Sequence, residues 1–265
     1  MSDAAVGSLL APGSWASFVM ISTRLAGVML VAPFWSMIAL PRSVRGAIVV
    51  VLAAILVPTS PRAAFPERAL EIPVPLATEL LIGVAIGIGA AVILHSLTLA
   101  SEVIALQTGL SLGQLLAPNQ ENGGPALTQL YSLVAMATFV GVGGHLALVE
   151  GLGRSLQALP PGSLVAVDVG AGGLLRVVGA VFANAVQIAG PVLVALTVTN
   201  LAMAILSRAV PQLNAMAMAF GVTIGVGLVM LGVSLPLVVR AVARWTAAWP
   251  ASLDAIVGAL AATGR

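Results

Sequence analysis

The chain has no cysteine among its 265 residues, every basic charge is an arginine, and only 8% of its residues are charged. Without cysteine there is no disulfide framework, no thiolate metal site and no thiol nucleophile. The shortage of charge excludes more. A soluble domain carries about 25% charged residues, whereas this chain is 60% hydrophobic with a mean hydropathy of +1.11. Its composition is that of an integral membrane protein. A net charge of +2 is too small to argue for nucleic acid or an acidic substrate. A basic leader and cleavage site are missing too, Asp3 being the only charge before Trp15. The first apolar stretch is therefore expected to stay as a helix.

Catalytic patterns are also absent. No Gly-x-Ser-x-Gly, phosphate-loop or His-Glu-x-x-His motif occurs, and Gly141-Val142-Gly143-Gly144 lacks the Lys-Ser/Thr that a phosphate loop needs. His95 and His145 are the only histidines, and neither has a second ligand type three or four residues away. Glu150 follows His145 at five, off its helical face. A structural histidine fits better than a metal ligand. Nothing reads as an active site, no cofactor is expected, and the chain is not expected to be an enzyme.

What is present is a series of apolar segments. They fall at Trp15–Val31, Val44–Val57, Val74–Leu94, Leu97–Leu116, Ala126–Val149, Val177–Leu206 and Ala215–Val239. A span needs about 20 residues, so the second is short, and only His95-Ser96 separates the third from the fourth. About six nominal transmembrane segments result, with seven apolar helices as the alternative. Short and fused segments suit kinked helical hairpins in an all-α fold. Proline and glycine mark the breaks: Pro33 and Pro41, the cluster from Pro58 to Pro75, the stretch Pro118–Pro125, and Pro160-Pro161-Gly162. Arg240 and Arg244, with Trp245 and Trp249 as interfacial anchors, favour a cytoplasmic C-terminus. Small residues recur four apart at Gly83/Gly87, Gly109/Gly113 and Gly221/Gly225, a spacing that lets helix backbones approach closely.

Three features stand out from the apolar background. Arg208-Ala209-Val210-Pro211-Gln212-Leu213-Asn214 interrupts the stretch from Val177 to Val239, whose only formal charge is Arg208. A charge in hydrocarbon is costly and Pro211 removes a backbone donor, so this segment turns at an interface or lines a protein contact. Glu79 and Glu102 each lie in or near an apolar segment. Either they relay protons or they are carboxylates buried against an arginine or a backbone donor, and the lack of a second acid one turn away favours the latter. The loop Gly109–Pro125 passes from apolar Leu110-Ser111-Leu112-Gly113-Gln114-Leu115-Leu116 into a polar turn. It is either an exposed hairpin turn or a segment tucked into a pore, since irregular backbone at membrane depth must be surrounded by protein or water.

Taken in order, these residues resemble the FliR/SctT family, the export-gate subunit of flagellar and related type III secretion systems. The series runs from Arg24, Pro33, Pro41 and Arg45 through Glu79-x3-Gly83-x3-Gly87 to Gln107-Thr108-Gly109-Leu110-Ser111 and Pro118. It continues with Gly143-Gly144-His145, Ser155, Pro160 and Pro191, and ends on Arg208–Asn214. The resemblance implies a single membrane domain over 1–265, FliP-like over about 1–160 and FliQ-like over about 161–265. It implies bent hairpins assembled around a pore, as in the FliP/FliQ/FliR complex, in the bacterial inner membrane and the flagellar basal body. Implied partners are FliP-like and FliQ-like subunits, FlhB-like and FlhA-like components, unfolded export substrates and the lipid bilayer. By the same resemblance Gly109, Leu110, Ser111, Leu112, Gly113, Leu115 and Leu116 belong to a loop that plugs the closed channel. Glu79, Gly83, Gly87, Arg208, Pro211 and Asn214 become subunit contacts or hinges. The alternatives are a virulence-type export subunit of the same family and, in another class, a small-solute secondary transporter. The latter calls for inverted halves and paired buried charges.

Overall fold

The computed structural model describes residues 14–32, 41–63, 68–109, 126–164, 170–209 and 215–263, and among them there are helices and turns but no strand. The described residues form seven α-helices in order: α1 Ser14–Val31, α2 Arg42–Leu56, α3 Pro73–Thr108, α4 Ala126–Gly141, α5 Gly144–Ala158, α6 Gly170–Ala209 and α7 Ala215–Thr263. Short 3-10 turns at Val57–Thr59 and Ala69–Glu71 lie between α2 and α3. Five helices among the described residues are long and apolar enough to cross a membrane, or up to six if α4 and α5 are counted as one broken span. The fold is that of an all-α, multi-pass membrane protein.

Helix ends follow the backbone chemistry of the sequence. Pro41 precedes α2 with φ −53°, and Pro73 opens α3, where its missing N–H costs nothing. Gly143 separates α4 from α5 at φ +82°, a left-handed backbone that glycine adopts without a Cβ penalty. The apolar run Ala126–Val149 is therefore two helices rather than one. The reverse holds at His95-Ser96, where α3 continues for 36 residues without a break. A polar pair interrupts a hydropathy pattern, but it removes no backbone donor and imposes no φ. Likewise α7 runs on through Arg240, Arg244 and Trp249. Trp249 packs against Gly151 and is only 5% exposed, a core residue and not an interfacial anchor.

The chain divides into two compact units, each made of separate stretches. The first comprises Met1–Val92, Gly143–Val177 and Ala247–Arg265. Within it α1 buries a seam of Ser17, Met20, Ile21, Arg24, Leu25 and Val28, spaced to one helical face. The first half of α3 buries Thr78, Glu79, Ile82, Gly83, Ile86, Gly87 and Ala90 at the same period. Ser17 Oγ accepts the Ala63 N–H at 2.8 Å, tying the connection after α2 back to α1.

The second unit comprises Ile93–Val142 and Val178–Thr246. Two side-chain-to-side-chain hydrogen bonds join helices within it. The Tyr131 and Ser234 hydroxyls are 2.7 Å apart in its core, and Thr223 Oγ1 donates to Asn200 Oδ1 at 3.1 Å. The parts of α6 and α7 it contains expose many large apolar residues, from Val186 and Val194 to Leu228 and Val233. Such faces suit lipid or neighbouring membrane helices, not water.

Candidate functional site

Two charges sit in the driest part of the first unit. Arg24 on α1 and Glu79 on α3 are both fully buried, at 0% exposure. They meet as a two-pronged pair, Arg24 Nε donating to Glu79 Oε2 at 2.6 Å and Nη2 to Oε1 at 3.0 Å. Two-pronged Arg–carboxylate contacts fix orientation as well as charge. Arg24 Nη1 also donates to Ser155 Oγ at 3.2 Å, and Nη2 to the Leu159 carbonyl at 3.0 Å. The Ser155 hydroxyl in turn donates to the Leu152 carbonyl at 2.8 Å. The Gly162 N–H donates to Glu79 Oε1 at 2.9 Å.

Sequence explains why these atoms can meet. Arg24 and Gly27 lie three apart on α1, and Glu79 and Gly83 four apart on α3, so each charge sits one turn from a glycine. A Cβ built on Gly83 would collide with the Arg24 carbonyl oxygen, and one on Gly27 would lie 2.5 Å from the Leu80 oxygen. Gly87 extends the contact, its Cβ position lying 3.0 Å from the Val28 oxygen. Only glycine allows the two backbones this close, and the closeness brings the side chains into register. On the third side, Pro160-Pro161-Gly162 turns back beneath α5. Gly162 takes φ +91° and aims its N–H at Glu79. A side chain there would also press on Met20 Sδ, 3.3 Å from its Cβ position.

Chemically the centre is closed. Glu79 accepts three hydrogen bonds, Arg24 donates four, and neither reaches solvent. A proton carrier needs an acceptor that can be vacated and a path to water, and Glu79 has neither in this arrangement. The centre clamps α1, α3 and the turn after α5 together. Among the described residues no group of three or more His, Asp or Glu could hold a metal ion.

The remaining expected site residues are placed as follows. Glu79, Gly83 and Gly87 all face α1 of the same chain. Gly221 and Gly225 have nothing within 4 Å of a Cβ position. Arg208 is exposed in the last turn of α6, and Pro211 and Asn214 lie outside the described residues. Of the loop Gly109–Pro125 only Gly109 is described, at φ +76°; Leu110, Ser111, Leu112, Gly113, Leu115 and Leu116 lie outside. Its root is well anchored. Thr108 is buried, its hydroxyl donates to the Ile104 and Ala105 carbonyls, and its Cγ2 lies 2.5 Å from the Cβ position of Gly227 on α7. Arg24, Ser155 and Gly162 were not expected to form one centre. One signal for Arg24 was available: it is the single charge of an apolar α1, opposite in sign to Glu79 in an apolar α3.

Comparison with known proteins shows the family of this chain. Residues 15–248 match the model of the bacterial export proteins, family 1. The flagellar biosynthetic protein FliR of Pectobacterium carotovorum is 31% identical over 166 residues, 62% of this chain and 62% of that protein. FliR of Escherichia coli K12 is 26% identical over 215 residues, 81% of this chain and 82% of that protein. FliR of Bacillus subtilis is 28% identical over 192 residues, covering 68% and 72%. The chain thus spans just under two thirds of the Pectobacterium relative and most of the Escherichia one. The match takes in α1, α3, α5 and the clamp that joins them, and such a family is one of export proteins and not of enzymes. The chain belongs to the bacterial export proteins, family 1.

Proposed function

We propose that the chain is a pore-forming structural subunit of a flagellar type III protein export gate, passing unfolded substrates across the bacterial inner membrane. The observation that carries this reading is the family match over 15–248 together with relatives named FliR in both Escherichia coli and Bacillus subtilis. The FliR names favour the flagellar branch over a virulence one. FliP-like and FliQ-like subunits are the proposed neighbours, with FlhB-like and FlhA-like components beyond them. The exposed apolar residues of α6 and α7 offer ample surface for such neighbours, and exposed Arg208, with Pro211 and Asn214 after it in sequence, is proposed as a subunit contact. The Glu79–Gly83–Gly87 face is proposed to act indirectly, by holding α1 against α3 so that a neighbour meets a fixed hairpin.

The segment from Gly109 to Leu116 is proposed as the plug of the closed channel. Leu110, Leu112, Leu115 and Leu116 supply an apolar seal, and Gly109, Gly113, Gly123 and Gly124 let it move. The anchored Thr108 supports this role, because a plug must move while its root stays fixed. Two measurements test the proposal. Co-expressed FliP-like and FliQ-like subunits should co-purify with the chain, and the chain should restore flagellar export to cells lacking FliR. Deleting residues 111–122 should leave assembly intact and make the membrane leak ions. A chain that is stable and fully active alone, or an assembled deletion with unchanged permeability, overturns the gate and the plug respectively.

A further inference from the structure

Two arginines open α2, and the rest of the first unit leaves them unmatched. Arg42 is exposed and Arg45 half-buried. The described acids of this unit are each taken by another arginine: Glu79 by Arg24, Glu71 by Arg68, and Glu150 and Asp254 by Arg154. Among the described residues neither Arg42 nor Arg45 has an ion pair. Arg45 Nε is also shielded from solvent and, among the described residues, finds no hydrogen-bond acceptor. A shielded donor without a partner calls for an acceptor from outside. The start of the helix adds to the positive field, because Pro41 offers no side-chain cap to its first N–H groups.

Two turns further along α2, Leu52 helps to wall a crevice shared with α1 and α5. Leu25 and Val28 of α1 and Leu148 and Leu152 of α5 line it as well, with His145 as a polar member of the wall. Seven residues separate Arg45 from Leu52, about 10 Å of helix, and that spacing puts both on one side of α2. Elsewhere α2 is apolar and bare, with Val50, Val51 and Ile55 all more than half exposed. One leaflet of hydrocarbon is about 15 Å deep. A chain hung from a headgroup at Arg45 therefore passes Leu52 inside a single leaflet. A free anion would engage the arginines and make no use of the crevice. We propose that this side of α2 holds an acidic phospholipid, its phosphate on Arg42 and Arg45 and an acyl chain in the crevice between α1, α2 and α5. The planar fork of a guanidinium matches a phosphate. A zwitterionic headgroup fits less well, because no described acid of this unit is left over to receive its ammonium. The site lies within one compact unit and does not depend on the export reading.

To test this, the full chain, alone and with any subunits that co-purify, is stripped of lipid in a non-ionic detergent. Dioleoylphosphatidylglycerol or dioleoylphosphatidylcholine is then added, and bound lipid is counted by native mass spectrometry. The unsubstituted chain should prefer phosphatidylglycerol. An arginine near an anionic lipid surface is worth about fivefold in affinity, so R42Q/R45Q should bind phosphatidylglycerol about 25-fold more weakly. The exposed single variant R42Q, with an expected loss of about fivefold, decides the matter if the double variant fails to accumulate. L52Q makes the crevice wall polar and should weaken both lipids. Equal affinity for the two lipids, or full affinity for phosphatidylglycerol in the arginine variants, overturns the proposal. So does displacement of the lipid by an equal concentration of sn-glycerol 3-phosphate, which would give the arginines to a free anion. Lipid that the chain holds alone but loses once subunits co-purify would give them to a protein carboxylate, and the proposal fails.

Discussion

Replacing Arg24 by methionine removes one half of the buried clamp and leaves the other half charged. Glu79 then keeps only the Gly162 N–H of its three donors, and the Leu159 carbonyl loses its partner. Removing one member of a fully buried pair costs about 3–5 kcal/mol, and a stranded acceptor adds about 1–3 kcal/mol. The single variant should therefore lose at least about 4 kcal/mol, a large part of a typical folding free energy of about 5–15 kcal/mol. Glu79→Leu alone should cost a similar amount, since it strands the guanidinium. The double variant should be far less damaged than the sum, because replacing both members by apolar groups of similar size is often close to neutral. The coupling energy should be about 3 kcal/mol or more, well above the ~0.5 kcal/mol scatter of independent sites. Reversible unfolding in mixed detergent micelles, followed by tryptophan fluorescence with Trp249 as a buried reporter in the same unit, measures all four proteins. Additive losses would refute the clamp as the element that joins α1 to α3.

Gly83→Ala should sharply lower stability in the same assay, because the new Cβ meets a backbone oxygen of α1, while Gly221→Ala and Gly225→Ala, with open space at Cβ inside a helix, should not destabilise the isolated chain and should raise its stability by up to about 1 kcal/mol. Gly162→Ala forces a side chain into φ +91° beside Met20 and should cost about 1–3 kcal/mol; proteolysis of the turn after α5 should rise in parallel. Tyr131→Phe removes one buried hydroxyl contact with Ser234 and should cost only about 0.6 kcal/mol, the average for such bonds between membrane helices. Arg154→Gln breaks exposed pairs with Glu150 and Asp254, which water screens, and should leave the unfolding midpoint unchanged in titrations.

Much of the architecture is visible in the amino-acid pattern, and the places where it is not have physical causes. Hydropathy finds α1, α2 and α6 because their ends coincide with proline, glycine or charge. It misplaces the ends of α3 and α4, since a window average counts His95-Ser96 as an interruption and passes over Gly143. What ends a helix is backbone conformation, which average polarity does not measure. The clamp is half legible. Glu79 and its glycines stand out as an acid and a small-residue spacing in an apolar run, and an arginine or backbone donor is the natural counterpart. Which arginine it is depends on α1 crossing α3 at Gly27, a tertiary fact with no local signature. Ser155 and Gly162 are further still from recognition, because a serine and a Pro-Pro-Gly turn have many uses.

The clamp also sets an order of events during synthesis. Arg24 precedes Glu79 by 55 residues and the Leu159 carbonyl by 135. At about 5–20 residues per second the ribosome delivers α1 several seconds before its counter-charge exists. During that interval the nascent helix carries an unneutralised guanidinium, which makes its insertion less favourable by about 2.5–3.5 kcal/mol. Insertion of α1 is thus provisional until the hairpin with α3 closes, and the last bonds wait for the turn at Gly162. A charge that stabilises the finished protein acts, in the unfinished one, as a timer that keeps the first helix from committing early.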